Sequence, residues 1–373
     1  MAWRLSALAL TLLAFGAAGC GMIPDKGLRG PASEVVVDGM NFGPRIRYGA
    51  YPSSIIGTPW AGSELGTHGY YFRLSEKNGI AYTCRGGHID IMHVRIAADW
   101  TAYLAGESYR HLMKGDDAFS YKLLVDRSRN HVRISYPENW RSLSKDERSR
   151  IAREVAMAMG PYMTFTMVTW HEIMTWYGFQ VIGLPTEYAS AFSWEDSYSN
   201  LLGTRLAAKA LRDTERSYNE AMEIVLDEEM ARLGVQPAKV SRQASESVHG
   251  SWYTGRVSGF VNLKRRNFDI GLDDGWVTPV LLPNVPGCEG AVPISYPVPT
   301  LELPAKHGFT IAVEIEPREW EKNKVLRIVY PDDRKGKRIL PTEHFPAIMA
   351  QIRREAEAKY GPEMVADPPA AQP

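Results

Sequence analysis

Thr169 to Gly178 reads TWHEIMTWYG, a histidine and a glutamate side by side in a run of helical character. A zinc protease of the HExxH type needs a second histidine four residues on, so that two imidazoles one helical turn apart reach one metal while the glutamate serves as base. That position is Thr175 here, and the motif fails. Glu172 stays of interest for a different reason. No charged residue occurs from Ala156 to Trp170, so its carboxylate is expected to face protein rather than water. A buried lone carboxylate protonates, pairs with a cation or binds a metal.

A second polar group sits in a comparable place. His88 to about Met113 reads as a helix whose apolar face carries Ile89, Ile96, Trp100, Tyr103 and Leu104, with His93 in the middle of that face and Asp90 at its edge. Arg95 and Asp99, an i,i+4 pair, lie on the opposite side. If this helix packs on the one carrying Glu172, then Asp90, His93 and Glu172 supply one imidazole and two carboxylates to a single site. Glu195 and Glu187 are further donors. Such a set suits a divalent metal or acid–base catalysis. The plainer alternative is a satisfied buried network, with Glu172 paired to Arg95 or to His93 itself.

A thiol offers a third chemistry. Cys84 closes the strand-like run IAYTC, is followed by Arg85-Gly86-Gly87 and precedes a helix, a setting that lowers a thiol pKa as a nucleophile requires. His68, opening the run GTHGYYFRL, is its candidate base, and histidine strand before cysteine helix resembles circularly permuted papain-like enzymes. Against this stands Cys288, because two cysteines in an oxidising compartment most simply form a disulfide. Asp269, Asp273 and Asp274 lack the ladder of an EF-hand and read as a turn.

These residues must be positioned by a mixed chain. Short β-type runs fill Glu34 to Cys84, including EVVV, RIRYG, GYYFRL and IAYTC. YKLLVD and HVRISY form a hairpin, and Ile151 to about Gln180 is a long helix with a possible kink site at Gly160-Pro161. Ser193 caps a third helix with Asp196 three residues on, and a fourth, NEAMEIVLDEEMARLG, ends at Gly234. Beyond Trp252 the runs GFVNL, VTPVLL, TLEL, FTIAVEIE and VLRIVY are β-like, followed by a helix from Phe345 to Lys359. The expected fold is α+β, a central helical bundle flanked by β-rich N- and C-terminal segments.

The first twenty residues address the chain. Trp3-Arg4 begin a short basic region, Leu5 to Phe15 is apolar but too short to span a bilayer, and Ala17-Ala18-Gly19-Cys20 follows. The pattern reads as a lipoprotein signal over residues 1–19, with Cys20 lipidated, although Ala17 stands where such boxes usually carry leucine. Ordinary signal cleavage is the alternative. Gly21 rather than an aspartate points to an outer-membrane address facing the periplasm, and palmitate-type acyl chains would be the membrane partner. Residues 20–33 form a tether, 34–300 the main domain, 301–361 closing strands and a helix, and 362–373 a disordered tail. Forty-three basic residues balance 43 acidic ones, which gives no basis for a nucleic-acid partner.

YTCRGGHIDIMHVRIAADWT, HEIMTWYG and EYASAFSWEDSYSNLLG together resemble a bacterial lipoprotein family known as domain of unknown function 4056. The resemblance implies a secreted, lipid-anchored protein and carries no catalytic assignment. It directs attention to Asp90, His93, Arg95, Glu172, Trp176, Glu187, Glu195, Asp196 and Asn200, all within those blocks. Two classes of function stay open: a hydrolase or transferase acting on envelope material, and a non-catalytic envelope binding or assembly factor.

Overall fold

The helix that organises the molecule, α1 (Ile91–Lys114), starts where a strand ends. Gly87 takes a left-handed φ of 65°, which turns the chain between β1 (Ile80–Thr83) and β2 (Gly87–Asp90) into an antiparallel hairpin. Asp90 closes β2 and caps α1, its Oδ1 accepting the Met92 N–H at 2.8 Å. The expectation of helix from His88 is therefore corrected: His88 to Asp90 are strand. The left-handed turn at Gly87 commits them to pairing with β1.

The computed structural model describes residues 43–71, 75–179, 187–257, 260–331 and 336–368. The expected signal peptide, Cys20, the tether and the EVVV run lie outside those residues, as do part of GYYFRL and the last five residues. Eight α-helices and nine short strands occur among the described residues, an α+β architecture.

Two helices pack on α1: α2 (Lys145–Trp176) and α3 (Asp196–Ala210). Glycines set how closely they approach. A Cβ at Gly160 of α2 would stand 2.7 Å from the Thr101 carbonyl oxygen, and one at Gly203 of α3 would collide with the Val94 carbonyl. Both points lie on α1, so the three backbones meet where no side chain fits between them. Helix α2 runs through Pro161 without ending and begins at Lys145, a turn and a half earlier than expected, because Ser144 caps it. The α4 helix (Tyr218–Leu233) stops at Gly234 as expected, and it opens with a full capping box at Ser217 and Glu220.

The hairpin of β3 (Ala118–Tyr121) and β4 (Arg129–Ser135) is extended by β5 (Thr310–Glu316) into a three-stranded antiparallel sheet. Elsewhere strand is scarcer than expected. Residues 45–49 form no strand, and α5 (Ala238–Ser247) is an additional helix. TLEL gives way to α6 (Glu302–Lys306) and VLRIVY to α7 (Lys322–Val329). A short apolar run rich in Val and Ile fits either period. Here Val325 is buried, with Leu326, Ile328 and Val329 packed on the core that α8 (Pro341–Tyr360) also covers. Residues 362–368, expected to be disordered, are held: Val365 is buried and Arg265 donates to the Ala366 carbonyl at 2.7 Å. No helix among the described residues is long and apolar enough to cross a membrane.

Candidate functional site

The hairpin, α1 and the start of α3 bring an imidazole and several carboxylates together. Asp90 is fully buried. Its Oδ2 accepts the Ala50 N–H at 2.6 Å, and its own N–H donates to Ser199 Oγ on α3 at 3.0 Å. One turn along α1, His93 Nδ1 lies 3.2 Å from Asp90 Oδ2 and 3.3 Å from Asp196 Oδ1. It is buried yet makes no hydrogen bond. Glu195 stands at the N-cap of α3. Its Oε2 accepts from Ser193 Oγ at 2.8 Å, while Oε1 is buried without a partner. One donor atom from each of Asp90, His93 and Glu195 lies within 4.8 Å of the other two. That is the spacing of groups around a shared cation.

Glu172 joins from α2. Its Oε2 accepts the Phe192 N–H at 2.9 Å, which places it beside the three closest donors rather than among them. Asp196 fills the gap, its Oδ2 accepting the Ser193 N–H at 2.8 Å. Helix α3 therefore starts at Asp196, and Ser193 binds acidic side chains instead of capping the helix as expected. The turn from Ala191 to Glu195 is held open by strain at Phe192, whose φ is +53°. Asn267 N–H donates to the Phe192 carbonyl at 3.1 Å, and Arg266 Nη1 to the Ala191 carbonyl at 2.5 Å.

The electrostatics are lopsided. Burial opposes a charge on His93, but Asp90, Asp196 and Glu172 outweigh it and hold the imidazole pKa well above its ordinary value. Burial raises the Asp90 carboxyl. Burial, then Asp196 and Asp90, push Glu195 well above the usual carboxylate range. Burial and Asp196 raise Glu172 to about 7. Four acids thus surround one imidazole, and the negative charge in excess must be met by protons or by a cation.

The cluster is open to solvent on one side. His93, Glu172, Asp196 and Asn200 line a cleft of about 240 Å³. His93 is 23% exposed into it. His171 also lines the cleft, its Nδ1 2.7 Å from Asp126 Oδ1. The Asp126–His171 pair escapes sequence reading, because it depends on a partner from a separate element, whereas Asp196 is among the residues that the sequence blocks single out, without a role at His93. Ser193 and Asp196 offer only a capping signal.

Other expectations resolve differently. Arg95 does not meet Glu172. It turns to the far side of α1, to Glu76 and the Leu65 and Thr67 carbonyls. Arg47 joins that network, at 2.5 Å from Asp99 and 3.1 Å from Glu76. His68 belongs there too, its Nε2 2.9 Å from Asp99 and its Nδ1 3.1 Å from Arg95. Cys84 is bonded to Cys288 across 204 residues. The thiol nucleophile is thereby overturned: Cys84 has no thiol, and its expected base is buried against Asp99. The side chain of Glu187 lies outside the described residues.

A family model described as "Protein of unknown function (DUF4056)" matches residues 61–275, more than half of the 373-residue chain and a span containing Asp90, His93, Glu172, Glu195 and Asp196. No curated protein and no solved structure matches the chain.

Proposed function

The chain belongs to the DUF4056 family of proteins of unknown function, and we propose that it is a metal-dependent hydrolase of the bacterial cell envelope, working at the cluster that Asp90, His93 and Glu195 form. One observation carries this reading. His93 Nδ1 and Glu195 Oε1 are both buried without a hydrogen-bond partner, inside a triad whose donor atoms converge within 4.8 Å. Buried polar atoms are nearly always satisfied, so two orphans in one acidic cluster call for a ligand.

Asp90, His93 and Glu195 would hold a divalent ion of the zinc or manganese type, with Asp196 beside them. Such an ion supplies Lewis acidity toward a carbonyl and a water. The remaining work falls to the chain. Glu172, at the cleft end of α2, takes a proton from the attacking water and returns it to the leaving group. The water oxygen bonds to the acyl carbon as the bond to the leaving group breaks. His171, oriented by Asp126, faces the same space and can share the proton transfer.

The envelope address rests on the sequence: an apolar stretch from Leu5 to Phe15 followed by Ala-Gly-Cys20 favours lipidation and an outer-membrane anchor. Labelling with radioactive palmitate, lost in Cys20→Ser, tests the anchor. Elemental analysis and calorimetric titration of purified protein with zinc and manganese test the centre. The expected result is one ion per chain, lost in Glu195→Gln with the fold intact by circular dichroism. Wild-type protein that takes up neither metal overturns the reading and favours a non-catalytic binding or assembly role.

A further inference from the structure

The cleft beside the cluster has two unlike kinds of lining. One is the acidic group. The other is apolar, from Ile96 and Trp100 of α1, Leu123 and Leu124 after β3, and Ile46 and Tyr48 of the segment that precedes β1. At its mouth Ile46 is 49%, Tyr48 62% and Leu124 50% exposed. Large apolar side chains left in water around one opening mark a place where apolar matter is received.

Charge narrows what that matter can be. Arg45 and Arg47 line the cleft, but both guanidiniums are taken, Arg45 by Glu76 and Arg47 by Glu76 and Asp99. The acids of the cluster outnumber the two charges of one divalent ion, so phosphate or carboxylate groups would be repelled there. An uncharged carbonyl is not.

We propose that the cleft takes a neutral acyl ester or acyl amide, with its carbonyl at His93 and Glu172 and its acyl tail along the wall from Trp100 to Leu124 and Ile46. This deepens the hydrolase reading and rests on it. Water adds to the acyl carbon, the bond from that carbon to the alcohol oxygen or amine nitrogen breaks, and the products are a fatty acid and the freed alcohol or amine. The proton removed from water leaves on the alcohol or amine. No redox partner is needed.

Alkyl hydroxamates test the assignment, because their heads chelate a metal while their tails vary. The full chain carrying Cys20→Ser is purified without detergent and titrated first with zinc, then with acetohydroxamate and octanohydroxamate. The longer probe has six more methylenes, and each one buried is worth roughly fourfold in affinity, so burying two or three of them makes it bind about thirtyfold tighter or better. Combining Ile46→Asp with Leu124→Asp changes only exposed rim positions. It should reduce the preference to about threefold or less while the zinc affinity stays put. Equal binding of the two probes to zinc-loaded protein overturns the acyl assignment and leaves the metal centre standing, as does a preference that survives the rim substitutions. Failure to bind zinc or, titrated in its place, manganese removes the centre and the acyl assignment together.

Discussion

His93 Nδ1 stands 3.2 Å from Asp90 Oδ2, and the two do not hydrogen bond. That oxygen already accepts the Ala50 N–H at 2.6 Å, while Oδ1 caps α1 through Met92. Asp90 thus serves helix and site with different oxygens, and the roles can be separated. Asn caps a helix as well as Asp does. Asp90→Asn keeps an oxygen for the cap but turns an amide NH2 on the Ala50 N–H, so it should cost the metal-free protein about 1–3 kcal/mol and weaken metal binding roughly 100-fold or more. Denaturant unfolding in chelator and calorimetric titration measure the two effects. Unchanged metal affinity in a folded but destabilised variant would tie Asp90 to folding alone.

The buried network on the far side of α1 predicts a pH dependence. Burial works against the Glu76 carboxylate, but Arg47 and Arg95 outweigh it and bring its pKa down to about 2. A depressed carboxylate stabilises the fold fully above its unfolded value near 4.5. That contribution is lost as pH falls from there toward 2. With solvent screening allowed for, it amounts to about 2 kcal/mol. Glu76→Gln should lower stability near pH 7 and flatten its decline between pH 4.5 and 2, as followed by urea unfolding across that range. A wild-type-like decline would place the acid sensitivity elsewhere.

Gly203 lets α3 reach α1, since a methyl group there would run into the Val94 carbonyl, one residue from His93. Gly203→Ala should cost about 2–4 kcal/mol. It should also weaken metal binding, because Glu195 and Asp196 ride on the displaced helix. The alanine variant's melting temperature and metal affinity check this. A stable variant with normal affinity would show that α3 adapts without moving its acidic end.

That Glu172 and His93 stand in a protein interior was legible because an ionisable group inside an apolar stretch is costly and so conspicuous, while Asp90 and Glu195 were named only as neighbouring donors. The place of Asp196 against His93 and the Asp126–His171 pair were not legible, since their meaning arises only when helix, turn and loop meet. The helical middle followed from the charge-free run before Glu172 and from the stop at Gly234. Strand was overread where Val and Ile crowd together, as in VLRIVY. There the packing partner, not the local pattern, decides between the two periods.

Cys84 and Cys288 join the hairpin that carries Asp90 to a loop 204 residues further on. The bridge lies at the turn end of β1, whereas Asp90 closes β2 at the opposite end. Replacing both cysteines with serine should lower stability by about 2–4 kcal/mol and leave metal stoichiometry unchanged. Unfolding and elemental analysis of the double variant provide the check. Loss of metal with retained fold would mean that the bridge shapes the site.

Arg266 makes the last prediction, because it acts on the site without touching it. Its guanidinium is fully buried, donating to the Ala191 carbonyl at 2.5 Å and the Leu263 carbonyl at 2.8 Å. Trp176, Tyr188 and Tyr360 rings stand 5.6–5.9 Å from it, a setting that favours a planar cation. By fixing Ala191 it fixes the next residue, Phe192, whose strained backbone offers its N–H to Glu172. Arg266→Lys keeps the charge but loses the planar fork that bridges the two carbonyls. It should weaken metal binding about tenfold and lower stability by about 1–3 kcal/mol. Calorimetry on protein shown to be folded separates the effects. Full affinity in a destabilised Arg266→Lys would confine Arg266 to the core, whereas a shared loss identifies it as the residue that positions Glu172 and Glu195 together.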